Sequence, residues 1–145
     1  MTLKVYNSLT KVNEPLISAS NPLSWYLCGP TVYDSAHIGH ARNYMNWDVI
    51  QRILEGYFGI KVKTAMNITD VDDKIVKKCK EKGISIKELT DKYTDEFFDD
   101  LSSLGISKPD FVPRVTEYIP EIITFISKLI SLDFAYVKSG SVYFN

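Results

Sequence analysis

Apolar and polar positions change rhythm several times along this chain, and each rhythm predicts an element. Leu3 to Tyr6 reads as a short strand, followed by a polar connection through Pro15 and Asn21-Pro22. "SWYLC", Ser24 to Cys28, is nearly all apolar, as expected of a strand buried on both faces in a parallel sheet. Gly29-Pro30 ends it. From Ala41 to Phe58 the period becomes helical: Trp47, Ile50, Leu54 and Tyr57 share one face, and Asp48, Gln51, Arg52 and Glu55 the other. Gly59 stands where a C-cap glycine belongs. Ile60 to Ile68 then alternates, with lysines on the polar side, and predicts a second strand. Strand, helix and strand in that order make a βαβ unit, hence a parallel, right-handed α/β arrangement.

Helical signals dominate the next stretch. Asp70 is placed to cap a short helix through Lys80 that ends near Gly83. Ser85 and Glu88 form a capping-box pattern ahead of a long apolar stripe of Ile86, Leu89, Tyr93, Phe97, Leu101 and Leu104, closed by Gly105. Thr116 is the expected cap of a third helix with Ile119, Ile122, Ile126 and Leu129 on its buried face, and Pro120 is tolerated in its first turn. The tail "FAYVKSGSVYFN" reads as a hairpin turning at Ser139-Gly140. The pattern stops at Asn145 in mid-strand, which leads us to expect a piece of something longer.

Composition narrows the function classes. The chain has 145 residues, 45% hydrophobic and 24% charged, which suits one globular domain with a real core. A net charge of −1 gives no general attraction to nucleic acid, so any such contact needs a local patch. Cys28 and Cys79 show no pair spacing and no signal peptide precedes them, so a reducing, cytoplasmic setting is expected. No apolar run approaches the roughly 18 residues a membrane span needs.

The candidate chemistry gathers in "CGPTVYDSAHIGH", Cys28 to His40. Ligands of an open parallel sheet bind beyond the C-terminal ends of its strands. Cys28 ends the first strand, and Thr69 and Asp70 end the second, so these residues should meet at one edge. His37 to His40 opens the long helix, whose free amides and dipole favour an anion. Gly39 allows close approach to the backbone, and two imidazoles three apart can donate to phosphate oxygens. A nucleoside triphosphate suits this edge. Neither a G-x-G-x-x-G nor a G-x-x-x-x-G-K-[ST] loop is present.

A strand, Gly-Pro-Thr, and His-Ile-Gly-His opening a helix resemble the first signature of the class I aminoacyl-tRNA synthetases. "YLCGPTVYDSAHIGHARNY" together with "NITDVDDKI" (Asn67 to Ile75) resembles the cysteinyl-tRNA synthetases in particular, as do "LKVYNSLT" and "PRVTEYIPEII". The resemblance implies a Rossmann-like class I nucleotide-binding fold, of which residues 1–115 would be the first half and residues 116–145 the start of a helical and hairpin insertion. It implies that His37 and His40 act on ATP and its transition state, that Pro30, Thr31 and Gly39 line the ATP site, and that Cys28, Gly29 and Thr69 lie at the substrate cysteine. Cys28 matches the family's first zinc ligand. In the family, zinc binds the substrate thiolate, which rejects serine far better than a cavity could. The implied reaction is activation of L-cysteine by ATP, with magnesium, to cysteinyl-adenylate and its transfer to tRNA(Cys) in protein biosynthesis.

The family's other zinc ligands and its second, Lys-Met-Ser-Lys-Ser-like signature have no counterpart in these 145 residues. The isolated chain is therefore expected to be catalytically incomplete and to hold zinc weakly. Cys79 is expected to be structural or solvent-facing, and Asp70, Asp72 and Asp73 to serve helix caps rather than magnesium. Lys74, Lys77, Lys78, Lys80 and Lys82 form a basic run balanced by Asp95, Glu96, Asp99 and Asp100. Three alternatives stand beside the synthetase reading: a related ligase that joins activated cysteine to an aminosugar, a folded but catalytically dead binding module, and a mere fragment of the active enzyme.

Overall fold

Two parallel strands and the helix that crosses between them carry the rest of the structure, a computed structural model that describes residues 3–16 and 21–145. Strand β3 (Leu23–Leu27) pairs with β4 (Val62–Met66) in register from Leu23 opposite Val62 to Leu27 opposite Met66. Helix α1 (Ile38–Gly56) connects them, so the expected βαβ unit is present. Residues 111–115 run along the other side of β4. Phe111 bridges to Ala65 and Arg114 to Ile68, with Met66 N–H donating to Phe111 O at 2.9 Å and Ile68 N–H to Pro113 O at 2.8 Å. Pro113 cannot donate, which keeps this segment from becoming a regular strand.

β3 is not buried on both faces. Trp25 and Leu27 pack inward on Tyr44, Trp47, Met66, Phe97 and Leu101, but Tyr26 is 66% exposed. Layers cover one face of the β3–β4 pair, so the strand alternates despite its apolar composition. Before it, β1 (Lys4–Asn7) and β2 (Val12–Pro15) form an antiparallel hairpin. The second of these strands falls where the sequence suggested a polar connection. Its turn uses Lys11 at φ +64° instead of a glycine, so the usual hairpin mark is missing.

Helix α1 starts at Ile38 rather than Ala41, and its buried face is Tyr44, Trp47, Asp48 and Leu54. Ile50 and Tyr57, expected inside, are exposed. Asp48 takes the inner place because it is fully engaged: its carboxylate accepts from Arg52 Nε and from Ser107 N–H, and Arg52 Nη2 donates to Gly105 O at 2.7 Å. This tie holds α1 to the end of α3.

Helix α2 (Asp73–Lys82) is capped by Asp72, not Asp70, and ends on Gly83 at φ +67°. Helix α3 (Ile86–Ser103) is capped by Ser85, whose side chain accepts from Glu88 N–H. Leu89, Tyr93, Phe97 and Leu101 of its stripe are buried, and Ile86 and Leu104 at the ends are not. Cys79 lies in the core with Val32, Ile68, Ile75, Leu89 and Tyr93, so its role is structural.

A 3-10 turn (Val115–Tyr118) leads into helix α4 (Ile119–Ser131) and the hairpin β5 (Ala135–Lys138) and β6 (Ser141–Phe144). Ser139 and Gly140, at φ +52° and +79°, make the turn as expected. Two expectations fail here. Thr116 does not cap α4, because its amide and hydroxyl are both given to Asp70. No residue of α4 is buried: Ile122, Ile126 and Leu129 are half-covered, and Ile119 is exposed. The helix packs mainly on the 3-10 turn and β5, which are too small to cover its apolar face.

Candidate active site

The loop after β3 and the end of β4 meet as Brändén's rule requires. Thr31 bridges in parallel to Thr69. Thr69 N–H donates to Pro30 O at 3.0 Å, and Val32 N–H to Thr69 O at 3.2 Å. Cys28, Gly29, Pro30, Thr31 and Thr69 therefore share one edge. Gly29 is there for steric reasons: a Cβ would stand 1.6 Å from the backbone oxygen of Asn67. Only glycine lets the two chains pass this closely.

Three residues to which the sequence assigned no role hold this edge. Asn67 Oδ1 accepts from Gly29 N–H at 3.1 Å and from the Tyr26 hydroxyl at 2.7 Å, while its Nδ2 donates to Thr69 Oγ1 at 3.1 Å. The Tyr44 hydroxyl, from the second turn of α1, donates to Cys28 O at 3.0 Å. Burial first, and the nearby Cys28 second, push the Tyr44 phenol up to about 12, so it remains a donor. The signal for Tyr44 was its spacing, one helical turn beyond His40. Nothing in the local pattern marked Asn67.

His37 and His40 lie together at the start of α1, rings stacked with centroids 4.0 Å apart and planes 26° from parallel. Each imidazole closes the helix end. His37 Nδ1 accepts from Gly39 N–H at 3.1 Å, and His40 Nδ1 accepts from His37 N–H at 3.2 Å. This is the reciprocal capping box usually built from Ser and Glu, made here with two histidines. The amides of Gly39 and His37, expected to be free for an anion, are thus already engaged. In exchange, both Nδ1 atoms are acceptors, which puts the proton of each neutral ring on Nε2, the far side from the backbone. Burial, with His37 adding to it, holds His40 below its ordinary value, so the neutral ring is favoured. A cleft of about 280 Å³ borders the pair, lined also by Ala36, Phe97, Asp100 and Leu104.

The remaining candidates separate from this edge. Asp72 is the α2 cap and Asp73 lies in its first turn. Asp70, 4% exposed, is bonded to Thr116 at 3.0 and 2.6 Å. These are structural roles, although Asp70 serves the 3-10 turn and not the helix cap expected of it. Lys78 pairs with Asp34 at 2.7 Å and Lys82 donates to the Tyr93 hydroxyl at 3.3 Å, so part of the basic run is occupied. Among the described residues, no group of three or more His, Cys, Asp or Glu side chains is arranged to hold a metal ion. Cys28 is an exposed free thiol, and one thiol does not make a zinc site.

Residues 16–145 match the family described as tRNA synthetases class I (C), catalytic domain. The chain belongs to that family. The curated proteins it is similar to are cysteine–tRNA ligases. It is 49% identical over 145 residues to the cysteine–tRNA ligase of Encephalitozoon cuniculi, covering 99% of this chain and 30% of that protein. It is 46% identical to the cytoplasmic cysteine–tRNA ligase of Dictyostelium discoideum, with 99% and 22% covered. A probable mitochondrial cysteine–tRNA ligase of Xenopus tropicalis is 48% identical, with 99% and 25% covered. The chain thus spans less than a third of the length of these relatives. Among solved structures, a leucyl synthetase (LeuRS) of Agrobacterium radiobacter K84, in ternary complex with tRNA and LeuAMS, superposes with a TM-score of 0.67 at 18% identity. The match covers 81% of this chain and 16% of that one. It shows a shared fold, consistent with the Rossmann-like class I arrangement expected from the sequence.

Proposed function

We propose that this chain is the N-terminal part of the catalytic domain of a cysteine–tRNA ligase, with residues 1–115 in the nucleotide-binding fold and residues 116–145 beginning the insertion. In that reading the parent protein activates L-cysteine with ATP, supplied with magnesium, and passes the cysteinyl group to tRNA(Cys). The carboxylate of cysteine attacks the α-phosphorus, the bond to pyrophosphate breaks, and pyrophosphate leaves with the electron pair. The terminal ribose hydroxyl of the tRNA then displaces AMP from the acyl carbon. The first step needs no general base, because the nucleophile is already ionised, so positioning and charge stabilisation carry it.

The observation that carries this reading is the paired histidine cap. Two stacked imidazoles, each tied to the main chain through Nδ1, present two Nε2–H donors from a fixed platform at a helix N-terminus. They are the groups assigned to the phosphates and to the charge that builds up on them, with Gly39 between them and Pro30 and Thr31 on the adjoining loop. Cys28, Gly29 and Thr69 are assigned to the amino acid.

Zinc, which the family resemblance implies, is offered a single donor by the described residues, so the set does not fit the metal and no step is routed through it. The two free thiols suit a cytoplasmic setting. The test is pyrophosphate exchange into ATP by the full-length protein. Exchange that depends on cysteine and is not supported by serine is expected, whereas exchange with neither amino acid would overturn the reading.

A further inference from the structure

Asn67 makes three side-chain hydrogen bonds, and only one orientation of its amide permits them. The Gly29 N–H can only donate, so it must meet Oδ1. The Tyr26 hydroxyl donates to the same oxygen. Nδ2 is thereby turned to Thr69 Oγ1, and because an amide nitrogen can only donate, the Thr69 oxygen must accept. The Thr69 O–H proton is left pointing elsewhere, and no acceptor among the described residues takes it. The main chain of Thr69 is held on both sides, by its own N–H to Pro30 O and by Val32 N–H to its carbonyl, and the bond from Asn67 Nδ2 holds its side chain. A half-buried hydroxyl has thus been fixed with its lone pair satisfied and its proton free, at the edge where Cys28 and Gly29 lie.

We infer that Asn67 is a positioning residue that sets the polarity of the Thr69 hydroxyl, making it a hydrogen-bond donor to an acceptor atom of the bound amino acid. This rests on the proposed activation of cysteine at this edge. Asn67 does not touch the substrate in this scheme. It acts through Thr69, and the same amide holds the Gly29 backbone so that the two walls of the amino-acid site stay in register.

The informative substitution is Asn67→Asp. It keeps an oxygen facing Gly29 and Tyr26 and replaces the one donor with a second acceptor, which takes the Thr69 proton and reverses the hydroxyl. In cysteine-dependent pyrophosphate exchange by the full-length protein, the KM for cysteine should rise about 10- to 100-fold, the loss expected for a hydrogen bond to a charged group. The KM for ATP should stay the same. Thr69→Val should raise the cysteine KM similarly, and Thr69→Ser, which keeps the hydroxyl, should restore it. On the Thr69→Val background Asn67→Asp should add little, because the group it acts through is gone. Equal damage to both KM values, or a full additional penalty on that background, would overturn the inference. So would Thr69→Ser behaving like Thr69→Val, a comparison that stands even if Asn67→Asp does not fold. A wild-type protein without cysteine-dependent exchange would instead overturn the proposed function beneath it.

Discussion

Gly29 and Asn67 cross so closely that a methyl group on the glycine would lie 1.6 Å from the asparagine's backbone oxygen. The contact is backbone against Cβ, so no side-chain rotation relieves it. Gly29→Ala should therefore cost at least about 3 kcal/mol, at the upper end for an overpacked site. Chemical denaturation of the purified variant measures this, and a loss below about 1 kcal/mol would mean the crossing yields more easily than its geometry implies.

His40 makes stability depend on pH in a defined window. Its pKa in the folded chain is held below the ordinary 6.5, by burial and then by His37. Between those two values the unfolded chain binds a proton that the folded chain refuses, so stability is full above about pH 6.5 and falls on acidification towards the folded pKa. Protonation also removes the Nδ1 lone pair that accepts the His37 amide. The lowered carboxyls of Asp34, Asp91 and Asp110 act lower, below their ordinary 3.8. Unfolding followed between pH 7 and pH 5 should show the loss, and His40→Gln should flatten it. An unchanged slope in the variant would count against the assignment.

Asp70, in the segment after β4, fastens the 3-10 turn that leads into α4. Its buried carboxylate accepts from both the amide and the hydroxyl of Thr116. Asp70→Ala leaves both donors without a partner and should destabilise by about 1–3 kcal/mol. Hydrogen exchange at the Thr116 amide should speed up in step. Protection equal to wild type at that amide would show that the fastening is not needed.

What the sequence made legible was whatever rests on local chemistry. The alternation of Val62, Thr64, Met66 and Ile68, the Ser85 cap, the stripe from Leu89 to Leu101 and the Ser139-Gly140 turn all follow from period and turn preference, and all are present. Misreadings came where a distant partner decides. Asp70 and Thr116 each had the composition of a helix cap, but they bond to one another across 46 positions. Asp48 belonged to the polar side of α1 until Arg52 and Ser107 gave it partners inside. Strand β2 carried no glycine turn to mark it, and the apolar face of α4 promised a burial that its neighbours do not supply. At the site, the histidine motif could be seen in the sequence, whereas the Asn67 network could not, because each of its bonds reaches a residue chosen by the fold.

Adenylate formation by the His40→Ala variant, followed in the pre-steady state beside cysteine binding, tests the central claim most directly. If the imidazoles stabilise charge in the transition state, the chemical step should slow by about 10²- to 10³-fold, the loss expected for one such donor. The affinity for cysteine should be nearly unchanged. Equal loss of rate and of cysteine affinity would contradict the account and make the pair a helix cap alone.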